Sequence, residues 1–183
     1  MRILVLGSGA REHAIILALR SEEESHAIFA APGNAGIARE AHLVDVDPMD
    51  PTAVLTFAKN EAIDLVVVGP EAPLVAGVAD PLRAHGIPVF GPGKAAAQLE
   101  GSKTYAKRIM DAAGVPTGGS VRAHDTAAVE AALDRFGAPY VVKADGLAAG
   151  KGVIVTSDRA AALAHAESYL PSGAVLIEEF LSG

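Results

Sequence analysis

Short apolar runs of strand length alternate with helix-like stretches along the first half of the chain, and most of these runs empty into glycine or proline. Arg2 to Leu6 is the first, entering Gly7-Ser8-Gly9 before a helical pattern that carries Ala14, Ile15, Leu17, Ala18 and Leu19. A second strand is expected over Ala27 to Ala31, ahead of Pro32-Gly33-Asn34-Ala35-Gly36, and a short third over Leu43 to Val46. Pro51 to Asn60 reads as a helix with proline at a permitted early position. Asp64 to Val68 has the unbroken apolar character of a parallel strand buried on both faces, and it ends in Gly69-Pro70-Glu71-Ala72-Pro73. Leu74 to His85 is predicted as one helix, and Pro88 to Phe90 as a fifth strand running into Gly91-Pro92-Gly93. In an open parallel sheet ligands bind outside the carboxyl ends of the strands, so these loops are expected to converge on one cleft.

The pattern then changes. A helical stretch from Gln98 to Met110 is interrupted at Gly101-Ser102, where Ser102 can cap a new helix. Val115-Pro116-Thr117-Gly118-Gly119 reads as a linker. Beyond it follow a strand over Ser120 to Arg122, an amphipathic helix from Asp125 to Phe136, a strand over Tyr140 to Lys143, and another over Gly152 to Thr156. A helix from Asp158 to Tyr169 and a last strand from Ala174 to Glu179 complete the order. The fold class is therefore α/β: a Rossmann-like open parallel sheet over 1–101, a helix and linker over 102–119, and an incomplete α+β unit over 120–183, too small and open to stand as a whole domain. A truncated chain is the expectation.

Composition narrows the chemistry. The absence of cysteine excludes thiolate catalysis and Cys-ligated zinc, and the net charge of −7 argues against a broad nucleic-acid-binding face. No stretch has the length and apolarity of a membrane span, and the chain opens on a strand rather than a signal peptide, so a cytoplasmic protein without nucleic-acid or membrane partners is expected.

The densest chemical signal is Tyr140 to Val155, where two strand-like runs flank a loop with Gly146, Gly150 and Gly152 and lysines Lys143 and Lys151 at its edges. Glycines let a backbone fold closely over a ligand, and ammonium groups supply positive charge, a combination suited to polyphosphate. The loop lies between strands and lacks the Gly-Lys-Ser/Thr ending that opens a helix in a P-loop, so it reads as a flap on a hairpin. A flexible hairpin whose lysines merely confer solubility is the bland alternative. Lys143 is the fixed phosphate contact of this reading, and Lys151 the mobile one that arrives on closure. Lys103, in a first helical turn, is either solvated or held by an anion attracted to the same terminus.

In the first half, Gly9, Arg11, Glu12, His13, Asn34, Gly69, Pro70 and Glu71 are the candidate ligand groups of the loops. His13 serves equally as a packing residue, and Asn34 as a left-handed turn residue. A dinucleotide fingerprint, and with it an NAD-dependent dehydrogenase, is the disfavoured alternative because Glu12 stands where the third glycine belongs and no acid follows the second strand. Glu178 and Glu179, followed by Phe180 and Leu181, read as a strand edge able to pair with an adenine ring.

Six ordered motifs carry a resemblance: Gly7 to Ala14, Ala31 to Gly36, Gly69 to Leu74, Gln98 to Lys103, Lys143 to Val153, and Glu178 to Leu181. Together they resemble the phosphoribosylamine–glycine ligases of the ATP-grasp superfamily. The resemblance implies that 1–101 is the domain preceding the ATP-grasp fold and 120–183 its small nucleotide-covering part. It implies ATP, glycine and 5-phosphoribosylamine as small-molecule partners of a monomer, with glycine activated as glycyl phosphate. Lys103 and Lys143 become ATP-phosphate contacts, Gly146 to Gly152 the flap, and Glu178 to Leu181 the adenine edge. The loops bearing Gly9 to His13, Asn34, and Gly69 to Glu71 become the phosphoribosylamine side. Mg²⁺ or Mn²⁺ is implied, with its ligands expected beyond Gly183, and the chain alone is expected to be inactive. Ser8, Ala10 and Gly93 depart from residues usual in the family.

Overall fold

A computed structural model describes residues 1–147 and 151–182, and the chain divides into two compact units, Met1–Gln98 and Leu99–Gly183. The first is built on β1 (Arg2–Gly7), β2 (Ala27–Pro32), β3 (His42–Leu43), β4 (Leu65–Val68) and β5 (Val89–Phe90). They form a parallel sheet in the order β3-β2-β1-β4-β5. Period-two alternation sorts β1 onto two cores. Ile3 and Val5 pack with Ile28, Ala30, Val67 and Ile16 of α1 (Ala10–Arg20). Leu4 and Leu6 pack on the other side with Val66, Val68, Val54 and Ala58 of α2 (Pro51–Asn60), and Leu82. Both faces of the strand are therefore dry, which is why its sequence is apolar without interruption. Asp50 caps α2 by accepting from the Thr52 and Ala53 amides.

Two expectations need correction here. The predicted helix over Leu74 to His85 is two helices, α3 (Glu71–Ala76) and α4 (Ala79–Ala84), parted at Gly77, whose φ of 100° closes α3 in a left-handed cap. The third strand is only His42–Leu43 rather than Leu43 to Val46, because it is a sheet edge whose last pairing bond is Val44 N–H to Ala30 O.

In the second unit, α5 (Lys94–Gly101), which begins in the first, ends at Ser102, whose hydroxyl accepts from Tyr105 N and caps α6 (Lys103–Ala112). The strands β6 (Ser120–Ala123), β7 (Tyr140–Ala144), β8 (Val153–Thr156) and β9 (Val175–Glu178) pair antiparallel in the order β6-β9-β7-β8. One face carries Ala123, Val142, Val175 and Ile177 against α7 (Thr126–Phe136) and α8 (Arg159–Tyr169), capped by Asp125 and Asp158. The strand order also corrects the sequence reading of Glu178 as a strand edge. β9 is interior, and Glu178 is paired with Ser120 on one side and Val141 on the other. Unpaired backbone begins only past Glu179, whose own N–H bonds Gly119 O.

Candidate functional site

The sheet of the first unit reverses its winding between β1 and β4, so a crevice opens at their carboxyl ends. Gly7-Ser8-Gly9 leaves β1 and enters α1 there, and Gly69-Pro70 leaves β4 and enters α3. Glu12 fills the space between them. It is 3% exposed, its Oε2 accepts from Gly9 N at 2.7 Å, and its Oε1 receives Arg11 Nε at 3.0 Å. A Cβ at Gly7 would stand 2.5 Å from Glu12 Cγ, and one at Gly69 would overlap the same carboxyl, so both positions are small because Glu12 is large. The residue that spoils the dinucleotide fingerprint thus occupies the place a pyrophosphate would take and consumes an amide it would use.

The other predicted residues gather on this rim. Arg11 is exposed and bridges from Glu12 to Glu71, with its NH2 group 3.5 Å from Glu71 Oε2. The hydrogen bond to Glu12, then its charge and that of Glu71, push the Arg11 guanidinium further above its ordinary value against the opposing effect of burial. Asn34 staples two loops: Nδ2 donates to Ser8 O at 2.7 Å, and Oδ1 accepts from Gly36 N at 2.8 Å and Ile37 N at 2.9 Å. His13 is half-buried against the same loop, so close that a Cβ on Gly36 would lie 2.8 Å from its Cε1. Gly9, Arg11, Glu12, His13, Asn34, Gly69, Pro70 and Glu71 therefore form one cluster, with Arg11 and Glu71 exposed and His13, Asn34 and Pro70 half-buried.

In the second unit, the sheet face opposite the helical core is the chemical one. Register places Ser120 and Arg122, Leu176 and Glu178, Val141 and Lys143, and Val153 and Val155 side by side upon it. Lys143 Nζ lies 2.8 Å from Glu178 Oε2, and Glu178 is 8% exposed. Val153 and Val155 are exposed, giving this face an apolar end beside its charged centre.

The loop beyond β7 is held at its root. Asp145 accepts from Ser102 Oγ at 3.2 Å, Thr104 N at 3.3 Å and Gly146 N at 3.0 Å. Burial works against its ionisation, but the hydrogen bonds from Thr104, Ser102 and Gly146 outweigh it and hold the carboxyl below its ordinary value. Lys103 Nζ donates to Gly146 O at 2.8 Å, so this lysine is anchored to the first glycine of the loop. Gly146 itself has a φ of 91°, a conformation that requires glycine. β7 and β8 pair as the expected hairpin, closed by Ala144 N to Gly152 O at 2.7 Å. Lys151 is exposed at its base, its carbonyl bonded by Tyr169 OH at 3.1 Å. Gly150 lies outside the described residues. Glu179 turns away from Lys143 and accepts from Gly119 N at 3.0 Å, while Phe180 and Leu181 are exposed.

Three residues of this face escaped the sequence reading. Asp145 was visible only as part of a motif, Arg122 lies 4.0 Å from it, and Lys107 reaches Glu178 from α6. The spacing of Lys103 and Lys107, one helical turn apart, was the available signal. Among the described residues no group of three or more His, Asp or Glu side chains could hold a metal ion, and Glu178 already faces two ammonium groups.

A Rossmann-like sheet followed by an antiparallel sheet with a lysine-bearing, glycine-rich hairpin defines the class: the chain has the fold of the ATP-grasp ligases. It aligns with N5-carboxyaminoimidazole ribonucleotide synthetase in an ADP complex at a TM-score of 0.79 and 19% identity, over 98% of this chain and 47% of that one. The particular family is shown by sequence. The chain belongs to the phosphoribosylglycinamide synthetase family, matching its N domain over residues 1–100 and its ATP-grasp (A) domain over 101–183. It is 70% identical to phosphoribosylamine–glycine ligase of Leifsonia xyli, over all of this chain and 44% of that protein. The crystal structure of phosphoribosylamine–glycine ligase from Thermotoga maritima superposes at a TM-score of 0.78 and 32% identity, over 100% of this chain and 44% of that one. The chain thus spans under half the length of these relatives.

Proposed function

We propose that this chain supplies the sugar-amine cradle and the nucleotide-covering sheet of an enzyme that joins glycine to 5-phosphoribosylamine at the expense of ATP. The observation that carries the nucleotide half is the sheet face on which Lys143 stands beside the apolar Val153 and Val155, in a glycine-rich hairpin whose root is held by Lys103 and Asp145. An ammonium group next to an apolar strip suits a phosphate chain and a purine ring together. The family match and the names of the relatives support the rest.

In this reading Lys143 and Lys103 neutralise the phosphates, Gly146 and Gly152 let the hairpin backbone approach them, and Lys151 arrives with closure. Gly150 belongs to the same segment. The free backbone of Phe180 and Leu181 pairs with the adenine, with Glu178 and Glu179 setting its position. A glycine carboxylate oxygen attacks the γ-phosphorus, ADP departs, and glycyl phosphate forms. The amine of phosphoribosylamine then attacks the acyl carbon, phosphate leaves, and the amine proton passes to solvent, giving glycinamide ribonucleotide. Such transfer depends mainly on positioning and charge neutralisation. Arg11 and His13 face the sugar phosphate, Glu71 its amine and hydroxyls, while Glu12, Asn34, Gly9, Gly69 and Pro70 shape the loops around it. Mg²⁺ or Mn²⁺ would accompany the ATP phosphates. The described residues do not fit it, so no step here runs through it. A cytoplasmic monomer fits this role.

The test is ADP release by protein carrying these 183 residues at its N-terminus, with each substrate omitted in turn. Release beyond one equivalent per protein is expected only when ATP, glycine and phosphoribosylamine are all present, in step with glycinamide ribonucleotide. Release that ignores glycine would refute the assignment.

A further inference from the structure

Two ammonium groups converge on one buried carboxylate oxygen. Glu178 Oε2 lies 2.8 Å from Lys143 Nζ on the neighbouring strand and 3.7 Å from Lys107 Nζ on α6. The lysines differ in how free they are. Lys107 has a side chain only 14% exposed, and its Nζ also donates to Thr117 Oγ1 at 2.7 Å and Gly118 O at 2.8 Å. Lys143 has a side chain 28% exposed, with Glu178 as its hydrogen-bond partner among the described residues. Of the two, Lys143 is the one able to leave.

A polyphosphate bound on this face would compete with Glu178 for Lys143. Were Lys143 the sole cation, its departure would strand a buried carboxylate with no counter-charge, a costly state, and that carboxylate would also repel the arriving phosphates. We propose that Lys107 is a positioning residue of the nucleotide site, the fixed counter-ion that holds Glu178 when Lys143 turns to phosphate. It touches no ligand in this scheme. Its contribution is to keep the charge beneath the ligand balanced, and the proposal rests on the nucleotide reading above.

The bland alternative is that Lys107 only ties Thr117 and Gly118 to α6. Calorimetric titration of ADP into the protein and into Lys107→Met, Glu178→Gln and the double variant separates the two roles. Lys107→Met is expected to weaken ADP by about thirtyfold, the low end for removing one partner of a buried charge pair given the 3.7 Å separation. In the Glu178→Gln background the same change should cost less than about twofold, because a neutral amide needs no counter-ion. Lys107→Arg, which keeps the charge, should stay within about threefold of the parent. Retained circular dichroism and slow exchange of the Val142 and Ile177 amides report that the sheet is intact in each variant. An equal loss in both backgrounds would reduce Lys107 to a mechanical tie, and no loss in either would refute the proposal as well. Failure of the parent protein to bind ADP would overturn the nucleotide reading itself, and the role of Lys107 with it.

Discussion

Gly69→Ala isolates the claim that Glu12 fills the crevice between β1 and β4. The substitution adds one methyl group, and Gly69 has no positive φ that would penalise alanine by itself. The new Cβ would overlap the Glu12 carboxyl, whose Oε2 is engaged 2.7 Å from Gly9 N. Either the loop shifts, an overpacking cost of about 1–3 kcal/mol, or Glu12 swings out and forfeits a charge-assisted bond worth roughly 1.5–3 kcal/mol. A loss near 2 kcal/mol is the working figure, which for a unit of about 100 residues lowers its melting temperature by roughly 8–16 °C. Scanning calorimetry with urea unfolding measures it, and exchange at the β1 amides assigns the effect to the first unit. The decisive comparison is the same change in a Glu12→Ala background, where the obstruction is gone and the cost should fall below about 0.5 kcal/mol. A cost equal in both backgrounds, or one under about 0.5 kcal/mol in the parent, would refute the role given to Glu12.

Asp145 carries a pH prediction. Its folded carboxyl is held below the ordinary value, so its stabilisation is fully present above the unfolded pKa of about 3.9 and fades as pH falls through the lower folded one. The stability gap between the parent and Asp145→Asn should therefore close in acid unfolding curves below about pH 4. Lys143→Met should weaken ATP or ADP binding by about tenfold to a hundredfold in calorimetry, the loss of one charge-assisted phosphate bond. Gly77→Ala, at a φ of 100° with its Cβ 3.1 Å from Lys94 Cδ, should cost about 1–2 kcal/mol in urea unfolding, because left-handed backbone disfavours alanine.

What the sequence displayed follows from how local each signal is. β1 and β4 are buried on both faces, so their apolar runs mark them directly, and Asp50, Asp125 and Asp158 announce helix starts by the N–H groups their carboxylates accept. The break at Gly77 was not legible, since a lone glycine is tolerated inside a helical pattern and only packing decides its φ. Nor was the interior position of β9, because the strand order β6-β9-β7-β8 depends on pairing distant in sequence. The site divides in the same way. Lys143 and the hairpin glycines stand together in the chain and were read together, whereas Lys107 meets Glu178 across 71 positions with nothing between them to announce the contact. Glu12 misled in another sense: a glutamate in a first helical turn is ordinarily an exposed partner of the helix dipole, and here it is a buried plug.

Among the described residues, the buried charged side chains are Glu12 and Glu178, one in each unit: Glu12 stands in the first turn of α1 shortly after β1, and Glu178 ends β9. Stability alone gives a poor reason to keep them, since desolvating a carboxylate costs several kcal/mol and well-packed apolar replacements are often neutral or better. Their partners give a stronger one. Glu12 fixes Arg11 toward Glu71, and Glu178 fixes Lys143 on the sheet face opposite the helical core. A long cationic side chain held in one place has already lost its rotamer freedom, so an anionic ligand that takes it over has less ordering left to impose. The same carboxylate competes with that ligand, and affinity survives only where another group can hold the carboxylate afterwards. Gly9 N does so for Glu12, leaving Arg11 free to turn outward. For Glu178, Lys107 is the group in reach.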